Sequence, residues 1–384
     1  MSFLGRSVMS IRRNQVVSME DPNHGGGGGG GEDLDLFQKH LADRLLSLLG
    51  DGDGGGGYTL LTLPWLHKLL DAFLLSVEEF KATAPPSILH DRPIVEFLDR
   101  TIKALDVCNA VSDAVDSVRL LHRQAEIAVS ALDRKVLLEG QFVRARRALS
   151  TLLLSVAPGE RDGIRCAERN RSFGRSRLAT ASIQDRGSGG RYLRSISCVA
   201  GRTWSPGKHV QAMSANLIAP RGGIAAADGA AYGMSSFLVF VAWTLVAAFF
   251  PAQNRGPVSL ACPPRHLVWS EPLIRLQEKI ADEWRKREKK GSSNSSSPLG
   301  LLVEVQRLEK CARGLVSSDR NQTEEIGAFV DELAESCRGL DEGLPPLQRQ
   351  VREVFHRIVQ CRAVLLDCLN QRNRSATTAQ STGS

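Results

Sequence analysis

FLVFVAWTLVAAFF, residues Phe237–Phe250, is a run of fourteen residues in which Thr244 is the only polar side chain. A helix rises ~1.5 Å per residue, so this run covers about 21 Å, whereas the hydrocarbon core of a bilayer is roughly 30 Å thick. No charged residue lies between Asp228 and Arg255, however. A helix ending before Pro251 could therefore present about 20 uncharged residues, which is enough to span. The sequence allows a membrane helix or the buried central helix of a soluble bundle.

The candidate membrane segment is assigned to residues 234–250. Its strongly apolar side chains are Phe237, Leu238, Val239, Phe240, Val241, Trp243, Leu245, Val246, Phe249 and Phe250. Trp243 in the middle of the run favours a packed helix, because tryptophan in membrane proteins prefers the interface. The excess of positive charge upstream favours a cytoplasmic N-terminal half. We expect a cytoplasmic, membrane-associated protein, either single-pass or peripheral.

The flanking regions have the apolar periodicity of helices. Residues 33–157 form an N-terminal helical region, in which the segment after Pro93 repeats apolar residues every three or four positions for about 40 residues, close to the coiled-coil period of 3.5. Aromatic residues make up only 5% of the chain, and the periodic segments are rich in Leu, Val, Ala, Glu and Arg, which favour helix over strand. These features predict an all-α, elongated multi-helix bundle with coiled-coil-like heptad seams and one central hydrophobic helix.

A C-terminal helical region is predicted over residues 265–372, with a tail at 373–384 that is expected to be disordered. Pro345 and Pro346 are expected to begin the last helix, separating it from a preceding helix over Ile326–Leu340. Apolar residues of the last helix alternate at spacings of four and three, which predicts a buried seam. The seam residues are Leu347, Val351, Val354, Ile358, Cys361, Leu365 and Cys368. The sequence leaves open whether such seams close within one chain or between chains.

Two segments lack hydrophobic periodicity. Residues 1–32 include the glycine run 25–31 and are predicted to be disordered. Residues 158–233 are predicted to be a linker with one short helix around HVQAMSANLI, and twelve Arg or Lys between 161 and 221 stand against three acidic residues. The linker could bind an anionic membrane surface, an acidic partner or, less well supported, nucleic acid, or it could simply connect the two halves. Ser197, three residues after Arg194, is a candidate phosphosite.

Residues with the spacing of a known catalytic site are not found. The sequence lacks a P-loop, a dinucleotide-binding glycine fingerprint, a Gly-x-Ser-x-Gly elbow and an HExxH helix. His356 and Cys361 are five residues apart and so lie on different helix faces. We therefore predict no catalytic, cofactor-binding or metal-ligating residues and a protein that is not an enzyme. The eight cysteines include no CxxC pair, and the five on predicted helix faces have apolar neighbours, which favours buried free thiols in a reducing compartment. These five are Cys108, Cys311, Cys337, Cys361 and Cys368.

Several strings distributed over the chain resemble a plant family of BYPASS-related or ROH-type proteins. The matching strings are SFLGRSVMSIRRNQV, FLDRTIKALDVCNAVSDAVDSVR, QAMSANLIAPRGG, MSSFLVFVAWTLVAAFFPAQ and GLPPLQRQVREVFHRIVQCR. The glycine-rich inserts at 25–31 and 54–57 depart from the family pattern. The resemblance implies a non-enzymatic, membrane-associated regulator of plant development or secretion and the binding of an exocyst subunit, but it implies no catalytic residues.

Two hypotheses about function follow from these observations. In the first, the chain is a helical adaptor that binds an exocyst subunit at a membrane through exposed helix faces. In the second, the apolar run makes the chain a single-pass membrane-anchored scaffold for developmental signalling. The two differ in the location of the run, which lies inside the folded protein in the first hypothesis and in the bilayer in the second.

Overall fold

The computed structural model describes nine stretches of the chain, and all regular secondary structure in them is α-helical. These stretches are residues 29–50, 59–83, 91–132, 138–156, 205–219, 226–250, 260–291, 300–318 and 323–381. The helices are α1 (Gly29–Leu49), α2 (Leu63–Thr83), α3 (Asp91–Leu132), α4 (Glu139–Val156), α5 (Pro206–Ala215), α6 (Ala226–Phe249), α7 (Ser270–Gly291), α8 (Val303–Ser317) and α9 (Thr323–Ser381). The predicted all-α class is confirmed.

The apolar helix α6 lies at the centre of the fold. Helices α1, α2, α3 and α5 all contact α6. Helix α9 packs against α2 and α3. Helix α4 packs against α3 and α8, and α7 packs against α1. The buried apolar side chains of these elements form one continuous core. The helices before and after α6 therefore belong to a single bundle.

Helix α1 begins at Gly29, inside the glycine run, whereas residues 1–32 were expected to be disordered. Glu32 in the first turn interacts favourably with the positive end of the helix dipole. The following apolar residues, including Phe37, Leu41 and Leu45, are fully buried, so packing extends the helix into poor helix formers. Residues 1–28 lie outside the described stretches, and their predicted disorder stays a prediction.

The linker predicted over 158–233 ends earlier than expected. Its described part contains the short helix α5, which the sequence predicted. This helix begins at Pro206 because Ser205 accepts a hydrogen bond from the Lys208 amide at 3.2 Å and proline suits the first turn. Helix α6 then starts at Ala226 rather than at residue 234. Gly233 lies within this first part of α6, and a Cβ there would approach Leu41 and Trp269 to 3.1–3.2 Å, so the missing side chain lets α6 pack closely.

The last two predicted helices are one. Helix α9 extends for 59 residues and contains Pro345 and Pro346 in its interior, where the sequence predicted a break, and it continues beyond the predicted end at residue 373. A proline inside a helix removes a backbone hydrogen bond and costs about 3 kcal/mol. Buried Leu344 and Leu347 on either side of the pair pack into the core and offset this cost. The Gly343 carbonyl also lies 3.1 Å from the His67 Nε2 of α2, which holds the helix at this position.

A buried carboxylate joins the beginning of α2 to the beginning of α8. Glu304 Oε1 accepts a hydrogen bond from the Leu63 amide at 2.9 Å, and the Val303 amide donates to the Leu61 carbonyl at 3.1 Å. Leu61 has a φ of 60°, in the left-handed region that a leucine rarely adopts. Burial raises the pKa of Glu304 above its ordinary value, although the Leu63 amide acts in the opposite direction. The charged form of Glu304 is therefore held in the fold at an energetic cost.

We predict that Glu304→Gln is at least as stable as the wild type at pH 7. The amide oxygen can still accept the Leu63 hydrogen bond, while the cost of burying a charge is removed. Because the folded-state pKa of Glu304 is raised, its protonated form favours folding, and this contribution is lost as the pH rises through that pKa. The advantage of Gln should therefore shrink as the pH falls towards the ordinary pKa of a glutamate.

Urea unfolding at pH 7 and pH 5 measures both effects. Glu304→Leu is the matched control, because it keeps the volume but leaves the Leu63 amide without its acceptor, which costs about 1–3 kcal/mol. A loss of more than about 1 kcal/mol in Glu304→Gln at pH 7 would contradict the prediction.

Candidate functional site

The apolar run is enclosed by protein. Of the ten apolar residues predicted to meet a membrane, eight are buried, and Val246 and Phe250 are partly buried against the core. The Phe237 ring packs edge-on against Phe73 of α2, with the ring centroids 5.6 Å apart. Thr244 Oγ1 is buried and has no hydrogen-bond partner among the described residues. The run therefore forms the middle of the core.

The C-terminal end of α6 is sealed by the segment before α8. The last carbonyls of a helix have no partner within the helix and need donors from elsewhere. The Leu301 amide donates to Ala247 at 2.8 Å, and the Leu302 amide donates to Ala248 at 3.0 Å. Gly300 lies so close that a Cβ there would overlap the Ala248 carbonyl. Backbone groups of the protein thus satisfy this end of the apolar helix.

The N-terminal end of α6 is polar. Arg100 of α3 is 3% exposed, and its guanidinium donates to the Asn216 carbonyl and lies 3.4 Å from Glu96. Burial lowers the pKa of Arg100, and the Glu96 carboxylate opposes this effect. A cavity of about 490 Å³ at this end is lined by Arg100 and by Tyr232 of α6. A buried, hydrogen-bonded arginine therefore lies where the apolar helix begins.

Length and composition alone would still allow α6 to cross a membrane. Residues Asp228–Phe249 are a 22-residue part of α6 with a mean hydropathy of 1.7, and 94% of its most apolar window is buried inside the protein. The central helix of a soluble bundle has the same properties. In this fold the apolar run fills the interior, and it has no free apolar face to offer to lipid.

The seam predicted in the last helix closes within the chain. Leu347, Val351, Val354, Ile358, Cys361 and Leu365 are each at most 4% exposed, and Cys368 is partly buried. This face of α9 packs against α2 and α3. Burial raises the pKa of the Cys361 thiol to about 12, so it remains protonated at neutral pH. The seam acts as core, and it is not available to a partner in the folded protein.

Polar contacts hold α9 in register along the seam. The Gln350 amide donates to Asp71 at 2.6 Å, and Arg357 lies 2.5 Å from both Glu78 of α2 and Glu353 of its own helix. The Lys81 hydrogen bond, together with Arg357, holds the pKa of Glu78 below its ordinary value despite some burial. These contacts fix which face of α9 points inward and therefore which face points outward.

The outward face of α9 carries a second apolar row, which we call the outer stripe and define as Val359, Ala363 and Leu366. These residues are spaced by four and three, so they lie on one side of the helix. Val359 is 42% exposed and Leu366 is 39% exposed, and Ala363 is also exposed. Sequence reasoning missed this stripe, although its spacing is visible, because the stronger inward seam runs along the same helix. Ser197 and the most basic part of the linker lie outside the described residues.

A family model described as "Protein ROH1-like" matches residues 1–369. The chain belongs to the ROH1-like family. Protein ROH1A of Arabidopsis thaliana is 39% identical, and the alignment covers 96% of each chain. Protein ROH1D of the same plant is 34% identical over 97% of each chain. No solved structure matches the sequence.

Membership of the ROH1-like family confirms the resemblance drawn from the sequence strings. The family description and the names of the two relatives do not denote an enzyme. They also do not name a binding partner or a membrane. For this ROH1-like protein, the fold and the family agree on a helical plant-family protein, and its function and partner are matters for proposal.

The sealed end of α6 yields a prediction about Gly300. We expect Gly300→Ala to lower the melting temperature clearly, because the new methyl group would overlap the Ala248 carbonyl and disturb the hydrogen bonds of Leu301 and Leu302. Thermal unfolding followed by circular dichroism measures the effect. Gly339→Ala is the control, because a Cβ there meets nothing within 4 Å and alanine favours a helix interior by roughly 0.5–1 kcal/mol. Equal melting temperatures for the two variants would show that the end of α6 is not tightly sealed.

Proposed function

We propose that this ROH1-like protein is a non-enzymatic helical adaptor that binds an exocyst subunit at a membrane through the outer stripe of α9. The observation that supports the proposal is that α9 has two apolar faces, one buried and one exposed. Its inward seam is buried in the bundle, while Val359, Ala363 and Leu366 remain exposed in a helical row that the fold does not use. The resemblance to the ROH-type family supplies the exocyst subunit as the partner.

The chemistry of the outer stripe suits a helical partner. Apolar residues at spacings of three and four present one continuous ridge, and an amphipathic helix can bury such a ridge against its own apolar face. The polar contacts of Arg357 and Arg362 with α2 and α3 keep this part of α9 rigid before a partner arrives. A preorganised surface loses less entropy on binding.

The test replaces Val359 and Leu366 with aspartate together. Both side chains are exposed, so we expect the helicity and melting temperature to remain close to those of the wild type. Binding to purified exocyst subunits should weaken more than about tenfold, because the charges would be buried at the interface without partners. Pull-down and titration calorimetry with the full chain measure binding, and circular dichroism measures folding.

Two further variants make the result interpretable. Leu75→Asp on α2 is the matched control, since this leucine is 60% exposed and lies off the stripe, and it should bind normally. Val354→Asp with Ile358→Asp places two charges in the buried seam and should lose helical structure as well as binding. Normal binding by the Val359 and Leu366 double variant would remove the stripe from the proposal.

A single-pass membrane-anchored scaffold is the second candidate. The length and hydropathy of residues Asp228–Phe249 favour it. To span a bilayer, α6 would have to leave its contacts with α1, α2, α3 and α5, and the core would lose its central element. The adaptor proposal requires no such rearrangement, because membrane association can come from the partner or from the basic linker.

Carbonate extraction of membranes from plant cells expressing the tagged chain separates the two candidates. We expect the chain to leave the pellet at high pH, because a peripheral protein is released and an integral one is retained. A known single-pass protein in the same sample is the control. Complete retention in the pellet would favour the anchored scaffold. It would contradict the proposal that α6 stays buried in the bundle when the protein is in the cell.

A further inference from the structure

A small polar cavity lies between α3 and α9 beside the proline pair. Its volume is about 200 Å³, which has room for an ion and several waters, since one water occupies about 30 Å³. His122 of α3 lines it together with Glu126 and with Asp341 and Pro345 of α9. This cavity is separate from the outer stripe, and nothing in the adaptor proposal uses it.

The three side chains bring atoms that can bind a metal ion close together. His122 Nε2 lies 3.6 Å from Asp341 Oδ1, and His122 Nδ1 lies 3.8 Å from Glu126 Oε2. One donor atom from each of the three residues lies within 4.8 Å of the others. His122 is only 5% exposed, and its Nε2 has no hydrogen-bond partner in the described part of the chain. A buried ring nitrogen without a hydrogen bond is costly unless something fills the space before it.

The helix geometry explains why these groups meet. His122 and Glu126 are one turn apart on α3 and share a face. Asp341 comes from the facing helix, four residues before Pro345. Because proline has no amide hydrogen, the Asp341 carbonyl lacks its usual donor in the next turn. Asp341 and Pro345 both line this end of the cavity.

We propose that His122, Glu126 and Asp341 bind a divalent transition-metal ion of the zinc type, with water completing the coordination. One imidazole and two carboxylates are ligands that zinc accepts, and the two carboxylate charges match the charge of the ion. Ligand atoms of a tetrahedral zinc site lie about 3.4 Å apart, close to the 3.6 Å between His122 Nε2 and Asp341 Oδ1. Glu126 faces the other ring nitrogen of His122, so its carboxylate would have to rotate towards the Nε2 side to bind the same ion. The ion would join the two longest described helices where α9 lacks hydrogen bonds at its prolines.

Two arginines near the cavity do not oppose the ion strongly. Arg119 Nη1 lies 3.1 Å from Asp116 Oδ1, so its charge is paired. Arg123 is exposed, and water and salt screen its charge. The other charges that line the cavity are the exposed carboxylates of Glu126 and Asp341, which lie next to the buried His122 ring.

Calorimetric titration of the full chain with zinc chloride tests the proposal. We expect a zinc site with a stoichiometry of one that weakens more than about tenfold in His122→Gln and in Asp341→Asn, since each variant removes a ligand. His209→Gln is the matched control, because His209 Nδ1 lies 3.7 Å from the Asp106 carboxylate but does not belong to the three-residue group of possible ligands found among the described residues. Zinc should raise the melting temperature of the wild type and His209→Gln but not that of the two ligand variants.

The set of variants keeps the test decisive. The Asp341 side chain is 62% exposed, so Asp341→Asn should fold even if the buried His122 tolerates no substitution. Zinc bound by thiols elsewhere, such as the exposed Cys262, would persist in every variant with unchanged affinity. If the wild type shows no site that depends on His122 or Asp341, the proposal is overturned.

Discussion

The burial of α6 is the constraint on which the rest of the structure depends. Its middle has almost no polar side chains, so it gains stability only when other apolar surfaces cover it on every side. Helices α1, α2, α3 and α5 supply this cover, and Phe73 meets Phe237 at its centre. Burying a phenylalanine-sized side chain contributes roughly 1.5–3 kcal/mol, so the whole run contributes far more than any single polar contact.

The ends of a buried apolar helix need hydrogen-bond partners as well, because buried backbone carbonyls and amides are costly when they are unpaired. At the C-terminal end of α6, the amides of Leu301 and Leu302 donate to two of the last carbonyls. These two residues lie in a segment about fifty positions later in the chain. The same segment continues into Glu304, which accepts from the Leu63 amide. One short connection thus serves the apolar helix and the start of α2 together.

The two faces of α9 show how the fold limits function. The buried seam and its polar flanks fix the helix against α2 and α3, and the prolines are tolerated because buried leucines lie on both sides of them. With the seam used inside the chain, the outer stripe remains for a partner. The proposed metal site lies beside the prolines, and Asp341 precedes the stripe by 18 residues.

The sequence by itself determined the all-α class, the apolar run, the seam from Leu347 to Leu365 and the family, because periodicity and composition report which side chains must leave water. It predicted a break at Pro345, and it did not bring together His122, Glu126 and Asp341 or single out the outer stripe. His122 and Glu126 are visible as a one-turn pair, but Asp341 is more than two hundred residues away. Only the tertiary structure decided whether α6 faces protein or lipid, because an apolar helix gains similar free energy from either environment, and the choice depends on which other surfaces surround it.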